Sequence, residues 1–322
     1  MTVKTHQKKV VPVELKGSNP LVFHRSLAHF NVARVAVSRP SLDWQQDLQW
    51  GLAWQLAEGH FLESLRADVA PMVTGPFFSG DSFAAWFESL EVHGPGQNHS
   101  LFDWLEAHAT LPQMRWFLTQ EAAGEAGFED LLAYTQVKLP VQAKLECARN
   151  YWDEMGHGKE TAMHGQMLER MVRELDLKPA IDETVWESLA LSNTMLGLAL
   201  ARRYTYQSIG ALGVIELTAP GRVKKVSGGM RRLGLDGRMR AYFDLHAALD
   251  VSHARAWIRE IIRPLVDADP SCASLIAEGA LMRLHCGARC FDRYSVELQA
   301  PRLVKTADGR APTGARPMVS AC

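Results

Sequence analysis

AYFDLHAALDVSHARAWIREII, Ala241 to Ile262, is the stretch on which the reading of this chain turns. His246, Asp250 and His253 stand at i, i+4 and i+7, so on a helix advancing about 100° per residue they fall within about 60° of arc. One stripe presents two imidazole nitrogens and a carboxylate oxygen. That donor set suits Fe(II), Mn(II) or Zn(II), with iron favoured where open coordination positions serve O2. Phe243, Leu245, Leu249 and Trp257 are interleaved with it, which places the stripe at the edge of an apolar face or inside one. Taken alone, the helix also reads as a polar surface stripe carrying two histidines by chance.

Outward from this segment the chain reads as helical. Trp44, Leu48, Leu52 and Leu56, then Phe61 and Leu65, recur at helical spacing, while strict strand alternation is scarce. Breaks are expected at Gly75-Pro76, Gly94-Pro95-Gly96, Lys138-Leu139-Pro140, Lys178-Pro179, Pro220-Gly221, Gly228-Gly229 and Asp269-Pro270. They delimit about eight helices. No long Ser/Gly/Pro linker and no fixed-period repeat interrupts them, so a single domain over 21–300 is expected, between a basic arm at 1–20 and a Gly/Pro/Ala-rich tail at 301–322.

A second donor cluster lies in CARNYWDEMGHGKETAMHGQMLERM, Cys147 to Met171. Glu154 is followed by His157 at +3 and His164 at +10. The +3 pair fits one face of an unbroken helix; the +10 pair needs local unwinding, which Gly156 and Gly158 make cheap. Each of those glycines costs about 1 kcal/mol relative to Ala in a helix interior, so something requires that backbone. Glu216 sits among Leu212, Val214, Ile215 and Leu217, and Glu121 follows Trp116, Phe117 and Leu118, with Glu125 one turn on. Carboxylates in such surroundings need partners. Four helical segments thus supply carboxylates and imidazoles in numbers that fit a dinuclear metal site.

The 322 residues allow one large domain or two ordinary ones, and 47% hydrophobic with 22% charged residues is the balance of a folded globule. Lys+Arg of 35 against Asp+Glu of 36 leaves a net charge of -1, which argues against a dedicated nucleic-acid binder. The apolar run from Leu189 to Ala201 is too short for a bilayer, which takes about 20 residues, and the N-terminus lacks a signal-peptide pattern. Five cysteines match neither a disulfide framework nor a zinc pattern, and His285 with Cys286 and Cys290 reads as core. A reducing cytoplasm is expected.

On these residues the sequence resembles the haem-oxygenase-like diiron oxidases and oxygenases, the iron-containing redox enzymes. The likeness lies in Glu154 with His164 ten residues on across Gly156 and Gly158, and in Glu216 some thirty residues before His246, Asp250 and His253; it covers roughly Arg115 to Arg263. The resemblance implies an all-α, haem-oxygenase-like bundle and selects His164 over His157. It further implies an early-helix glutamate, mapped onto Glu121 with Glu125 as its neighbour. The implied ligand set is Glu121, Glu154, His164, Glu216, His246, Asp250 and His253, holding two Fe(2+) per chain for O2 activation. Asp153 and Asp244 are conceivable acceptors for the ligand imidazoles, and Trp116, Phe117, Tyr151, Trp152 and Trp257 conceivable cavity walls.

By the same resemblance the substrate is a small nitrogenous, amino-acid-derived molecule of a specialised biosynthetic pathway, N-oxygenated, or alternatively an amino or fatty acid cleaved at a C-C bond or desaturated. The basic run Arg222, Lys224, Lys225, Arg231, Arg232, Arg238 and Arg240 could hold a substrate carboxylate, attract an acidic carrier protein, or simply be a solvated loop. Expected partners are O2, the substrate and an external electron donor, with homodimerisation allowed and neither nucleic acid nor membrane involved. Two other classes stay open: a metal-free, thiaminase-like helical enzyme using Glu and His as acid and base, and a non-catalytic binding protein. Only the metal reading explains seven converging donors, and it requires the His253 imidazole to lie within coordinating reach of Glu154 and Glu216.

Overall fold

The computed structural model describes residues 19–75, 77, 79–125 and 127–301, so almost all of the expected arm and tail, with Cys322, lies outside the described residues. Among the described residues thirteen α-helices follow one another: α1 (Pro20–Val35), α2 (Trp44–Val69), α3 (Gly80–His93), α4 (Ser100–Ala107), α5 (Leu111–Gly124), α6 (Phe128–Thr135), α7 (Val141–Glu154), α8 (His164–Glu174), α9 (Trp186–Leu200), α10 (Thr205–Arg232), α11 (Gly237–Trp257), α12 (Arg263–Ala268) and α13 (Cys272–Glu297). No strand occurs among the described residues. The all-α expectation holds, but the helices outnumber the eight expected. Short helices such as α4, α6 and α12 merge in a periodicity scan, because one or two turns carry too few apolar positions to separate them.

Local chemistry starts several helices. Asn19 caps α1 by accepting the Leu21 N–H ahead of Pro20, and Asp236 caps α11 by accepting from Arg238 and Met239. Ser79 and Ser82 close a reciprocal capping box on α3.

Two of the expected breaks are absent: α10 runs unbroken through Pro220-Gly221 and Gly228-Gly229. Its glycines are contact points instead. A Cβ on Gly210 would lie 1.9 Å from the Ile276 carbonyl oxygen of α13, and one on Gly279 of α13 would lie 1.8 Å from the Gln207 carbonyl oxygen of α10. Gly213 similarly makes room for Trp257, and Gly229 for the Leu105 carbonyl. These two long helices therefore approach backbone to backbone. The core divides around them: Phe83, Phe87, Ile209, Leu212 and Ile261 anchor one cluster, Phe102, Leu105, Phe117, Phe243 and Phe291 the other. Residues of both line one cavity together with the donor residues.

The stripe Trp44, Leu48, Leu52, Leu56 is helical as expected, yet every member is more than half exposed, while Leu62 and Leu65 of the same helix are buried. Among the described residues no helix is long and apolar enough to cross a membrane. Cys147, Cys272, Cys286 and Cys290 are free and buried, as the core reading of the last two required.

Replacing Gly279 by Ala is expected to lower unfolding free energy by about 3 kcal/mol, because the α10 carbonyl must be pushed away. At Gly51, where a Cβ would meet nothing within 4 Å, the same change is expected to stabilise by about 0.5–1 kcal/mol through helix propensity. Urea titration of the two variants reads the contrast; equal midpoints would sink the close-crossing account.

Candidate metal centre

Glu154 is the last residue of α7, and the chain unwinds immediately after it. Gly156, His157 and Gly158 take φ values of 59°, 53° and 78°, a left-handed run that only glycine adopts cheaply. A Cβ on Gly156 would lie 2.5 Å from the Ala162 carbonyl carbon, so the loop closes tightly before α8 begins at His164. The +10 spacing is thereby realised. His157 points outward, ion-paired with Asp153 and stacked on Trp152, its side chain 64% exposed.

Glu154, His164, Glu216, His246, Asp250 and His253 are all buried and converge from α7, α8, α10 and α11. Glu154 Oε2 lies 2.7 Å from His164 Nδ1 and 3.9 Å from His246 Nε2, while its Oε1 lies 3.9 Å from His253 Nδ1. His253 Nδ1 is 3.4 Å from Glu216 Oε2. Two groups of possible ligand atoms result, Glu154 with His164 and His246, and Glu154 with Glu216 and His253, each with all its atoms within 4.8 Å of one another. Glu154 belongs to both, through different oxygens.

The outer partners fix the rings. His246 Nδ1 donates to the Tyr242 carbonyl at 2.6 Å, which leaves Nε2 aimed at the cluster. His253 Nε2 faces an Asp153 oxygen at 3.0 Å, leaving Nδ1 inward with no hydrogen-bond partner. Asn150 donates to Glu216 Oε1 at 2.8 Å, and the Tyr242 hydroxyl lies 3.2 Å from His164 Nε2. Asp153 thus takes the expected supporting place. Asp244 does not: it is held by Ser227 and Arg240.

Without a cation, protons stabilise the cluster. Burial opposes an imidazolium at His164, but Glu154, Glu125 and Glu129 outweigh it and raise its pKa to about 9. His253 is likewise raised to about 9 against burial, by Glu216, Asp153 and Glu154. Burial, then Glu216 and Glu154, push the Asp250 carboxyl well up, while the Glu154 carboxyl is held well below its usual range against burial by His164 and His246. Among the described residues Asp250 Oδ1 and His253 Nδ1 are buried and make no well-aligned hydrogen bond, His253 Nδ1 having only the Glu216 carboxylate 3.4 Å away. Mixed N/O donors, a doubly shared carboxylate and unpartnered inward atoms fit a pair of divalent first-row metal ions.

Residues 115–288, just over half of the 322, match the family described as iron-containing redox enzymes. The chain belongs to that family. Two crystal structures of a CadD-like protein of unknown function from Nostoc punctiforme are similar in fold, with TM-scores of 0.52 and 0.51 at 16% identity, covering 68% and 70% of this chain and 98% and 99% of theirs. A domain of unknown function with a heme oxygenase-like fold from Shewanella denitrificans gives 0.48 at 16% identity, over 68% of this chain and 91% of its own. No curated protein matches the sequence.

In this member of the family, Glu121 stands apart from both groups. It faces the cavity beside them, where Tyr294, Arg283 and Arg222 oppose a burial that raises its pKa. Glu125 comes nearer, its Oε1 3.9 Å from His164 Nε2 while accepting the Gly127 and Phe128 N–H groups. The cavity, about 150 Å³, is walled by Phe102, Phe117, Phe128, Leu191, Met195 and Phe243, with Tyr242 and Arg283 reaching into it. Of the five aromatics expected there only Phe117 lines it. Trp152 is exposed, Trp257 donates to the Ile209 carbonyl in the core, Trp116 packs on Tyr294, and Tyr151 packs against the main core. Tyr242 and Arg283 went unread, although Tyr242, one turn before His246, carried a signal.

Since metal ligands must be neutral imidazoles, the protons on His164 and His253 have to leave when a divalent ion binds. Zinc or ferrous affinity is therefore expected to strengthen as pH rises from 6 toward 9, with up to about three protons released per chain where the Asp250 carboxyl also ionises. Calorimetry in buffers of different ionisation enthalpy measures that release; none would contradict the assignment. Asp153→Ala is expected to weaken metal affinity by about 10–100-fold.

Proposed function

We propose that the chain is an oxidase or oxygenase that activates O2 with two iron ions held by Glu154, His164, Glu216, His246, Asp250 and His253, with Glu121 or Glu125 completing the set. The observation that carries this reading is the position of Glu154, one oxygen turned to each donor group. Ferrous ions supply the electrons and open coordination positions that O2 needs. The substrate we propose is a small nitrogenous, amino-acid-derived molecule, and N-oxygenation the outcome. One atom of O2 is then inserted at an N–H bond and the other leaves as water, with two electrons and two protons from an external donor.

The chain's own groups would serve that chemistry in distinct ways. Asp153 and the Tyr242 carbonyl orient His253 and His246, so their inward nitrogens need not reorganise. Tyr242 has its pKa raised well above the ordinary value by burial and by Glu125 and Glu154, so its hydroxyl keeps its proton beside His164 as a donor at the cavity wall. The cavity of about 150 Å³ suits a ligand about the size of benzene or a little larger.

Anaerobic loading with Fe(II) is expected to leave about two iron ions per chain, measured by elemental analysis, and the loaded protein to consume O2 with a reductant present. Glu154→Ala is expected to lose at least half of that iron, because both groups share the residue. His157→Ala, changing an exposed imidazole, is expected to retain all of it. Iron near zero in the wild type would overturn the proposal.

A further inference from the structure

The cavity carries positive charge that the ligand cluster does not use. Arg222 leaves α10 six residues after Glu216, about 9 Å further along the helix at ~1.5 Å per residue. Its guanidinium lies 5.4 Å from the Phe291 ring centre and 6.0 Å from that of Phe102, and its hydrogen bond among the described residues is a long one, 3.4 Å to Gln97. Arg283 of α13 lines the same cavity and makes no hydrogen bond or ion pair among the described residues. Most of ten N–H donors on two rigid forks are therefore unspent. Lys225, Arg232, Arg238 and Arg240, from the same basic run, are committed to Asp103, to the end of α4, to Glu174 and to Asp244. Of that run, Arg222 is the member that lines this cavity.

Burial and the neighbouring Arg283 push the Arg222 pKa down to about 9, so the two cations repel one another in a poorly solvated place. Glu121 and Asp250 are the carboxylates that act on Arg222 there, yet neither makes an ion pair within 4.0 Å with either guanidinium among the described residues. Two guanidiniums therefore line the cavity with most of their N–H donors unpaired, and donors left unpaired away from water are costly. A carboxylate meets a guanidinium fork bidentately and supplies the acceptors these donors lack.

We propose that Arg222 and Arg283 form an acid-binding subsite that holds the carboxylate of the substrate and points the rest of the molecule along the apolar wall toward Glu154 and His246. This rests on the function proposed above for the orientation, though not for the binding itself. It narrows the substrate class to small monocarboxylates, such as amino acids, whose reacting atom lies away from the acid group.

The test uses the full-length, metal-free protein and titrates hexanoate, hexanamide and hexylamine calorimetrically. Hexanoate is expected to bind at one site, and the amide and amine at least about tenfold more weakly. Arg222→Gln and Arg283→Gln are each expected to weaken hexanoate by about tenfold or more, with Arg222→Lys in between, while Fe(II) content after anaerobic loading stays at the wild-type value. That iron count also shows that the variants are folded. Hexanoate binding no tighter than hexanamide, or unchanged in the Arg222→Lys and Arg283→Gln proteins, would overturn the subsite. Arg-dependent hexanoate binding in a protein that takes up no iron would leave the subsite standing and sink the diiron reading instead.

Discussion

Two carboxylates, those of Glu154 and Glu216, are buried within reach of three imidazoles, with the buried Asp250 carboxyl on the same helix as His246 and His253, and the surrounding structure answers to the charge of that group. Isolated carboxylates cannot be buried without compensation on the scale of a whole protein's stability. In the metal-free chain protons take the compensating role, on His164, on His253 and on the Asp250 carboxyl. Each proton offsets one negative charge where a divalent ion would do so more effectively, because one ion can face several oxygens and nitrogens at once. The outer contacts through Asp153, Asn150 and the Tyr242 carbonyl then act on orientation rather than on charge. They keep the inward atoms aimed at a common volume whichever cation occupies it.

The part of this arrangement legible in the sequence was the part set by local geometry. His246, Asp250 and His253 could be placed together because an uninterrupted helix fixes their angular separation. The Gly156 and Gly158 pair announced an unwound segment, since two glycines are unfavourable in a helix and only a left-handed turn repays them. The resemblance, and not the spacing, chose His164. What stayed hidden depended on which helices meet. Arg283 shares a helix with Cys286 and Cys290, and a sequence cannot say that one face of that helix closes the cavity while another packs in the core. Glu121 and Glu125 lie one turn apart, and only the bend after Gly124 brings the second toward His164.

Glycine in α10 shows the same division. Read locally, Pro220-Gly221 and Gly228-Gly229 are breakers. Packed in place, Gly210, Gly213 and Gly229 are the points where a neighbouring backbone or indole would otherwise collide, and burial along the helix outweighs the lost propensity. Pro220 has no N–H to offer the Glu216 carbonyl four residues earlier. A helix interrupted at that hydrogen bond still persists, since Leu212, Val214, Val226 and Met230 bury both of its halves.

That continuity has a mechanical meaning. One rigid helix carries Glu216 into the ligand cluster and Arg222 into the far end of the cavity, so the distance between a held acid group and the donor residues is set by helix rise and not by a loop. The second guanidinium is placed by the neighbour: Arg283 follows Gly279 by one turn on α13, and Gly279 is where α13 touches α10 with no side chain between. The crossing that demands glycine therefore also fixes how far apart the two forks stand. A substitution that widened the crossing would separate Arg283 from Arg222 while leaving Glu154, His246 and His253, which sit on α7 and α11, where they are. Acid recognition and metal binding are built on different contacts of the same bundle, and can be lost one at a time.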